Sequence, residues 1–366
     1  MTDVLIVEDS RVVRDYLNFL VSSEPGLRVI GTAVDGEEAL ASVARRRPDV
    51  ILMDIHMPRL DGLETTRRIL SSSHPIPIVI CTASIHFGEV QTAMRALEAG
   101  ALAVLRKPSG FGDPNAEAEG AAIVNTLKLM AEVKVVRRWG RPPLPAVASP
   151  AVHRPEPEAT TGQTTIVAIG ASTGGPAAIL QILSRLSPST FPVAILLVQH
   201  ISVGFTVGFA EWLAEASGWP VRMARNSEIP LPGHVYVAPD DHHLRVGRQG
   251  ELRITQDEPH YGLRPSVGVL FRSVAEYHGR QAIGILLTGM GRDGAEELKL
   301  MANRGAFTIA QDEESCVVFG MPAEAIKLGA AQFVGPPHKI AERLMNNDFP
   351  LLSSSAALAL VRQQQR

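Results

Sequence analysis

Cysteine is scarce in this sequence, with two residues among 366. Cys81 and Cys316 stand far apart and form no C-x-x-C pair. This usage excludes a disulfide framework and a zinc site built from cysteines. It is typical of a protein kept in a reducing compartment, and we therefore expect a cytoplasmic location.

An excess of charge of one sign is also missing. The chain has 35 Lys and Arg against 38 Asp and Glu, a formal net charge of −3. This balance offers no general attraction to phosphate backbones, so we expect no nucleic-acid partner. No apolar run approaches the roughly 18 residues of a membrane span, and the opening "MTDVLIVEDS" lacks the basic flank of a signal peptide. We therefore expect no direct membrane insertion.

Composition changes sharply at one place along the chain. Residues 138–163 contain six prolines and no apolar periodicity, which indicates a semi-rigid linker. We predict four parts: a first domain at 1–125, a helix and proline-rich linker at 126–163, a second domain at 164–350, and a tail at 351–366. The helix preceding the linker is predicted over 116–137.

Both blocks alternate short apolar runs with segments of helical spacing. Runs such as "VLIV", "DVILMD" and "IPIVICTA" in the first block, and "IVAIGA", "VAILLVQH" and "AIGILLTG" in the second, are typical of strands buried on both faces of a parallel sheet. We predict two doubly wound α/β domains, a flavodoxin-like one followed by a Rossmann-like one. The stretch "HHLRVGRQGELRIT" predicts an antiparallel hairpin.

Carboxylates follow the predicted strands of the first block. Glu8 and Asp9 end the first strand, Asp54 ends the third, and Thr82 and Lys107 follow the fourth and fifth. Each alone could be a helix cap or an ordinary strand-end residue. Together they fall at one edge of the sheet, where clustered acids suit Mg²⁺ and an aspartate can accept a phosphoryl group.

The motifs "VLIVEDS", "DVILMDIHMPRLDG", "VICTAS" and "LRKPSG" make residues 1–125 resemble a response-regulator receiver domain. The resemblance implies that Asp54 is the phospho-acceptor and that Glu8 and Asp9, together with Asp54, hold Mg²⁺. It also implies that Thr82 and Lys107 form the switch pair, and that a histidine kinase supplies the phosphoryl group.

A glycine-rich turn opens the second block in "TTIVAIGASTGGPAAIL". It lacks the G-x-G-x-x-G spacing of a dinucleotide site and the lysine of a P-loop, so both nucleotide interpretations fail. Residues 170–174 instead match G-x-S-x-G, which places Ser172 on a strand-to-helix turn as a nucleophile. The alternative is that Ser172 or Thr173 only caps the helix.

A serine nucleophile needs a base and an acid that orients the base. His200 ends the next apolar strand and Asp293 follows a later one, so both should reach the edge that carries Ser172. Asp293 could alternatively form a capping box with Glu296. The competing acids Asp240 and Asp241 are predicted to be loop residues, and the adjacent His242 and His243 to lie at the surface.

The motifs "IGASTGGP", "VQHI", "PGHVYVAP", "RPSVGVLF", "LTGMGRDGA" and "QDEESCVVFGMPAEA" resemble the catalytic domain of chemotaxis protein-glutamate methylesterases. The resemblance implies a Ser172–His200–Asp293 triad, with Met290 and Thr173 supplying backbone donors to an oxyanion hole and no cofactor in this domain. It implies hydrolysis of glutamyl methyl esters, and deamidation of glutamines, on the cytoplasmic domain of methyl-accepting chemotaxis receptors, controlled by phosphorylation.

The sequence departs from the two family patterns at three places. Val104 stands where many receivers carry an aromatic residue, three positions before the lysine. The segment "ISVGF" follows His200 in place of a proline-rich turn, and Gly268 replaces an aspartate. Two other functions therefore stay open: a phosphorylation-gated binding module with an inactive catalytic block, and an esterase acting on a protein outside chemotaxis.

Overall fold

The computed structural model of the chain describes residues 1–82, 87–110, 113, 116–133 and 166–346. The predicted linker at 138–163 and tail at 351–366 lie outside these residues. The helix predicted over 116–137 is described over Ala116–Ala131. No helix within the described ranges has the length and apolar character needed to cross a membrane.

The first sheet has five parallel strands in the order β2-β1-β3-β4-β5, as the flavodoxin-like prediction requires. Its buried strands are the apolar runs of the sequence, because helices cover both faces. The strands are β1 (Thr2–Val7), β2 (Leu27–Ala33), β3 (Val50–Met53), β4 (Ile78–Thr82) and β5 (Ala103–Arg106). The helices are α1 (Arg11–Ser22), α2 (Gly36–Arg45), α3 (Gly62–Leu70), α4 (Phe87–Glu98) and α5 (Ala116–Ala131).

The second sheet has seven parallel strands in the order β14-β13-β12-β6-β7-β9-β8. These strands are β6 (Ile166–Ala171), β7 (Ala194–Gln199), β8 (Val221–Met223), β9 (Val235–Val237), β12 (Ala282–Leu286), β13 (Phe307–Gln311) and β14 (Phe333–Gly335). The predicted hairpin is confirmed as the antiparallel pair β10 (His243–Val246) and β11 (Leu252–Thr255). The prediction of two parallel α/β domains is therefore confirmed.

Within residues 166–346, six α-helices and one short 3₁₀ helix accompany the second sheet. They are α6 (Gly175–Leu183), α7 (Thr206–Ser217), α8 (Val267–Tyr277), α9 (Ala295–Asn303), α10 (Met321–Lys327), α11 (Pro337–Met345) and the 3₁₀ turn Gly279–Gln281. Helix α8 begins where Ser266 accepts a hydrogen bond from the Val269 amide. From β6 the strands add on one side as β7, β9 and β8, whereas β12, β13 and β14 add on the other side. The order of strands therefore switches between β6 and β12, and ligands of such sheets bind at this switch point.

One hydrophobic core runs through both domains. Buried side chains of the first sheet, such as Ile80, connect through α4 residues, such as Met94, to α6 and α7 beneath the second sheet. Helix α4 packs against α7 closely enough that a Cβ on Gly208 would lie 2.2 Å from Val90 Cγ1. The receiver-like domain thus shares buried apolar surface with the domain that carries Ser172.

Candidate functional site

Three carboxylates meet at the carboxyl ends of β1 and β3. One ligand atom from each of Glu8, Asp9 and Asp54 lies within 4.8 Å of the others. Glu8 and Asp54 are buried, whereas Asp9 is exposed. The parallel register of β1 and β3 brings these strand ends together. A set of oxygen donors open to solvent on one side fits Mg²⁺, which retains several waters when it binds.

Lys107 bridges two of these acids, with Nζ 2.7 Å from Glu8 Oε2 and 2.9 Å from Asp54 Oδ2. Burial raises the pKa of both carboxyl groups, and Lys107 opposes that shift. Burial alone would lower the pKa of Lys107, but its hydrogen bonds to Glu8 and Asp54 raise it. The amide of Lys107 also donates to the Thr82 carbonyl over 2.8 Å, so the predicted switch residues are adjacent.

Ser172 lies on a tight turn between β6 and α6. Gly174 has φ +78°, a left-handed conformation that glycine adopts without a Cβ penalty. The Ser172 amide donates to the Thr288 carbonyl over 3.0 Å. A Cβ on Gly289 would lie 2.6 Å from Ser172 Cβ, so this glycine permits the loop after β12 to approach the serine.

Gln199, the last residue of β7, connects the backbones of Ser172 and His200. Its Nε2 donates to both carbonyl oxygens over 2.8 Å. The side chain is buried, and its Oε1 faces Gly175, where a Cβ would lie only 2.1 Å away. The motif "VQH" placed Gln199 next to the predicted base, but its two acceptors come from different strands and are visible only in the fold.

His200 and Asp293, two residues of the predicted triad, contact each other directly. His200 Nε2 lies 3.0 Å from Asp293 Oδ2, which leaves Nδ1 as the ring nitrogen for exchange with a hydroxyl. The His200 side chain is 12% exposed and that of Asp293 1%. Strands β12, β6 and β7 lie side by side in the sheet, so Asp293, Ser172 and His200 each follow one of three adjacent strands.

Asp293 is held by the first turn of α8. Oδ1 accepts from Ser266 Oγ at 2.7 Å and the Gly268 amide at 3.0 Å, and Oδ2 accepts from the Val267 amide at 2.7 Å. Free amides at a helix start stabilise an anion. Burial would raise the pKa of Asp293, but the hydrogen bonds from His200 and these donors keep it below the usual range.

The capping alternative for Asp293 does not apply, because the N-cap of α9 is Gly294, with no side-chain hydrogen bond. Sequence reasoning missed the donors Ser266, Val267 and Gly268. "PSV" before an apolar helical stretch indicates a helix start with free amides, yet nothing in the sequence says which carboxylate it meets.

The predicted oxyanion donors lie on the two turns that flank Ser172. Thr173 follows the serine directly, and Met290 follows Gly289, the glycine against the serine. Among the described residues, neither backbone amide donates to a protein acceptor. Met290 is 43% exposed, so this turn borders solvent.

The competing polar residues have structural roles. Asp240 Oδ2 accepts from the Gly204 amide at 2.9 Å, which ties down the loop after His200. Asp241 pairs with Arg264 at 2.7 Å. The prediction that His243 lies at the surface is wrong: it is fully buried in β10, where its Nδ1 accepts from the Ser266 amide at 3.2 Å. Strand alternation turns this ring inward.

The first domain contacts the loops that surround the triad. Ser202 Oγ donates to the Val104 carbonyl of β5 over 3.1 Å. Val317 and Val318 pack against the core of the first domain, and Val317 also lies against Gly174 beside Ser172. The two domains therefore meet at the edge of the sheet that carries the candidate catalytic residues.

Comparisons with known proteins agree with this architecture. Residues 4–115 match the response regulator receiver domain model, and residues 167–344 match the CheB methylesterase model. The "Protein-glutamate methylesterase/protein-glutamine glutaminase" of Nitrosospira multiformis is 51% identical over 94% of this chain and 97% of its own. A relative of the same name, numbered 1, from Syntrophus aciditrophicus is 50% identical over 94% and 98%.

The "CheB methylesterase catalytic domain" of Thermotoga maritima is 37% identical, with a TM-score of 0.49, covering 51% of this chain and all of that structure. The chain belongs to the protein-glutamate methylesterase/protein-glutamine glutaminase family, with a receiver domain ahead of a CheB methylesterase domain.

Proposed function

We propose that this protein hydrolyses glutamyl methyl esters on the cytoplasmic domain of chemoreceptors, with Ser172, His200 and Asp293 as its catalytic triad. The observation that carries the proposal is the 3.0 Å contact between His200 Nε2 and a buried, ionised Asp293. A carboxylate fixed by three further donors holds the imidazole in one orientation and one tautomer.

The reaction has two halves. Ser172 Oγ attacks the ester carbonyl while His200 Nδ1 takes its proton, and the same proton then leaves with methanol as the C–O bond breaks. Water attacks the resulting acyl-serine, gives a proton to His200, and releases free glutamate and the serine hydroxyl. A glutamine side chain follows the same route and releases ammonia.

The amides of Thr173 and Met290 stabilise the negative oxygen that forms in each half. Both amides lie on turns beside Ser172 and have no protein acceptor among the described residues. A single donor of this kind contributes roughly 3–4 kcal/mol to the transition state in comparable sites. This domain's own residues supply every group of the mechanism, and we propose no cofactor for it.

The receiver domain supplies control. Glu8, Asp9 and Asp54 would hold Mg²⁺, which neutralises phosphoryl oxygens when bound, and Asp54 would accept the phosphoryl group from a histidine kinase. Lys107 already lies 2.9 Å from Asp54 Oδ2, where it can pair with a phosphoryl oxygen, and Thr82 lies beside it. A phosphoryl group that recruits these side chains changes the charge at the end of β5.

Strand β5 also contacts the catalytic loops, so the unphosphorylated receiver would obstruct access of a helical receptor to Ser172. The contacts of Ser202 with Val104, and of Val317 with the receiver core, support this arrangement. Removal of residues 1–160 should then raise the basal activity, whereas unchanged or lower activity would contradict occlusion. The bounds 1–125 and 164–350, and a cytoplasmic location, remain our proposals.

The test is methanol release from a methylated receptor cytoplasmic fragment, with and without acetyl phosphate. Wild type should respond to the phosphodonor, Ser172→Ala should release no methanol, and Asp54→Ala should keep only the basal rate. Asp293→Asn should lose on the order of 10⁴-fold in kcat, because the imidazole then adopts the wrong tautomer.

A fluorophosphonate probe separates the alternatives. Labelling of Ser172 without methanol release would mean an esterase with a different substrate. Absence of both labelling and methanol release would favour the binding module with an inactive catalytic block. The names of the relatives, which are those of enzymes, argue against that function.

A further inference from the structure

A second histidine lies behind the triad acid. His260 Nδ1 is 3.1 Å from Ser266 Oγ and 3.5 Å from Asp293 Oδ1, on the side of Asp293 away from His200. Its Nε2 is 3.8 Å from Oε1 of Glu297, a residue of α9. The ring therefore stands between two carboxylates, one of which orients the catalytic base.

The hydroxyl of Ser266 determines the direction of the first contact. Its single proton is donated to Asp293 Oδ1 over 2.7 Å. The oxygen must therefore accept at its contact with His260, and Nδ1 must carry a proton and donate it. Nε2 lies 3.8 Å from Glu297 Oε1, beyond hydrogen-bond distance, so the Ser266 contact alone places a proton on Nδ1.

Glu297 is a buried acid with only one of its two carboxylate oxygens hydrogen-bonded among the described residues. It is 3% exposed, and its Oε1 pairs with Arg272 Nη2 at 2.7 Å. Its Oε2 is buried and has no hydrogen-bond partner among the described residues. A Cβ on Gly268 would lie 2.7 Å from this oxygen and 3.0 Å from His260 Cε1, so the glycine provides the space in which the acid and the ring meet.

The remaining charges around the ring come from α8 and the loop before α9. Arg272 is 54% exposed and neutralises Glu297 from the solvent side. Arg292 lies over the ring of Tyr261, 4.6 Å from its centroid, and Tyr261 in turn contacts His260 at 4.3 Å between centroids. The two rings are inclined by 57°, and Tyr261 packs against the imidazole.

We propose that His260 is a positioning residue of the triad. By donating to Ser266 Oγ, which itself donates to Asp293, and by lying 3.5 Å from Asp293 Oδ1, it holds the serine hydroxyl and the triad carboxylate in place for His200. This role rests on the proposed function, because it acts through Asp293.

The test compares His260→Ala, His260→Asn and His260→Gln in the full chain, by methanol release with acetyl phosphate. His260→Ala should lower kcat about tenfold with KM nearly unchanged, because Ser266, which donates to Asp293, loses its hydrogen bond from Nδ1. His260→Asn should recover most of kcat, because its amide reaches Ser266 as Nδ1 does. His260→Gln, which reaches toward Glu297, should recover less. His234→Ala, whose ring contacts the Pro232 carbonyl and the ring of Tyr236, serves as the control and should match wild type.

A second readout is the ¹⁵N spectrum of the ring. We expect Nδ1 of His260 to carry a proton and the spectrum to change in Glu297→Gln. Wild-type kcat in His260→Ala, equal losses in the Ala and Asn variants, or an unprotonated Nδ1 would each overturn the proposal. Because wild type must release methanol and Ser172→Ala must not, failure of the proposed function is seen separately.

Discussion

The hydroxyl of Ser202 donates a hydrogen bond of 3.1 Å to the main-chain carbonyl of Val104. Ser202 follows His200, the proposed base, by two residues, and Val104 precedes Lys107, the proposed switch lysine, by three. One hydrogen bond thus joins the loop after His200 to β5, the strand that Lys107 follows. Val104 is the position at which an aromatic residue would have been expected, and its contact with Ser202 is made by its backbone carbonyl.

Ser202→Ala should raise the activity measured without phosphodonor and leave the activity with acetyl phosphate nearly unchanged. A neutral hydrogen bond contributes about 1 kcal/mol, so the basal rate should rise up to roughly fivefold. Ser217→Ala is the matched control, because that hydroxyl donates within α7, to the Leu213 carbonyl. Equal phosphodonor stimulation in wild type and Ser202→Ala would contradict this link between the domains.

Gly208→Ala should also weaken the packing of the receiver domain, through α4, against α7 of the second domain. A Cβ at this position would lie 2.2 Å from Val90 Cγ1, so α4 and α7 must separate to admit it. Alanine itself favours helix, which removes a local cause of any loss of stability. We expect a higher basal rate of methanol release and a smaller response to acetyl phosphate.

The variant Val90→Ala/Gly208→Ala provides the control for that experiment. Removing the valine methyl groups relieves the closest contact, although the Cβ at 90 still lies only 2.7 Å away. The double variant should therefore return part of the way to wild-type regulation. If the double variant were as active without phosphodonor as Gly208→Ala alone, steric opposition between these two helices would not be the cause.

Gln199→Met should lower kcat with little change in KM. The methionine keeps the volume of the buried side chain but loses both donors to Ser172 and His200. Two hydrogen bonds of about 1 kcal/mol each predict a loss of roughly 10–30-fold. Gln332→Met, which loses a longer bond to the Ala306 carbonyl, should retain wild-type kinetics. An unchanged rate of fluorophosphonate labelling in Gln199→Met would show that the two hydrogen bonds from Gln199 are not needed for the reactivity of Ser172.

Binding of Mg²⁺ should weaken on acidification at a higher pH than exposed carboxylates would predict. Burial raises the pKa values of Glu8 and Asp54, so protons begin to compete with the cation above the usual carboxylate range. Titrations of Mg²⁺ by calorimetry between pH 4 and pH 8 measure this. Asp9→Asn, which alters the exposed ligand, should weaken binding at all pH values without moving the onset. An affinity that stays constant down to the usual carboxylate range would contradict the prediction.

Much of the site followed from the ends of strands. Because parallel strands place their carboxyl ends at one edge, residues as distant as His200 and Asp293 could be assigned to one site, and the structure places them 3.0 Å apart. The same reasoning could not find Ser266 or Gln199, whose partners come from other elements. It was also wrong about His243, because His243 is the first residue of β10 and its ring points into the core, whereas His242 precedes the strand.

The sequence by itself determined the elements, their alternation and the residue types at each strand end, since these depend on local periodicity and turn chemistry. Tertiary structure alone decided which donors surround Asp293, where His260 and Glu297 meet, and how Val104 reaches Ser202. Those contacts depend on the packing of α8 against α9 and of the receiver against α7. Such packing depends on the complementary shapes and the burial of segments that are distant in the chain. Local sequence patterns do not determine it.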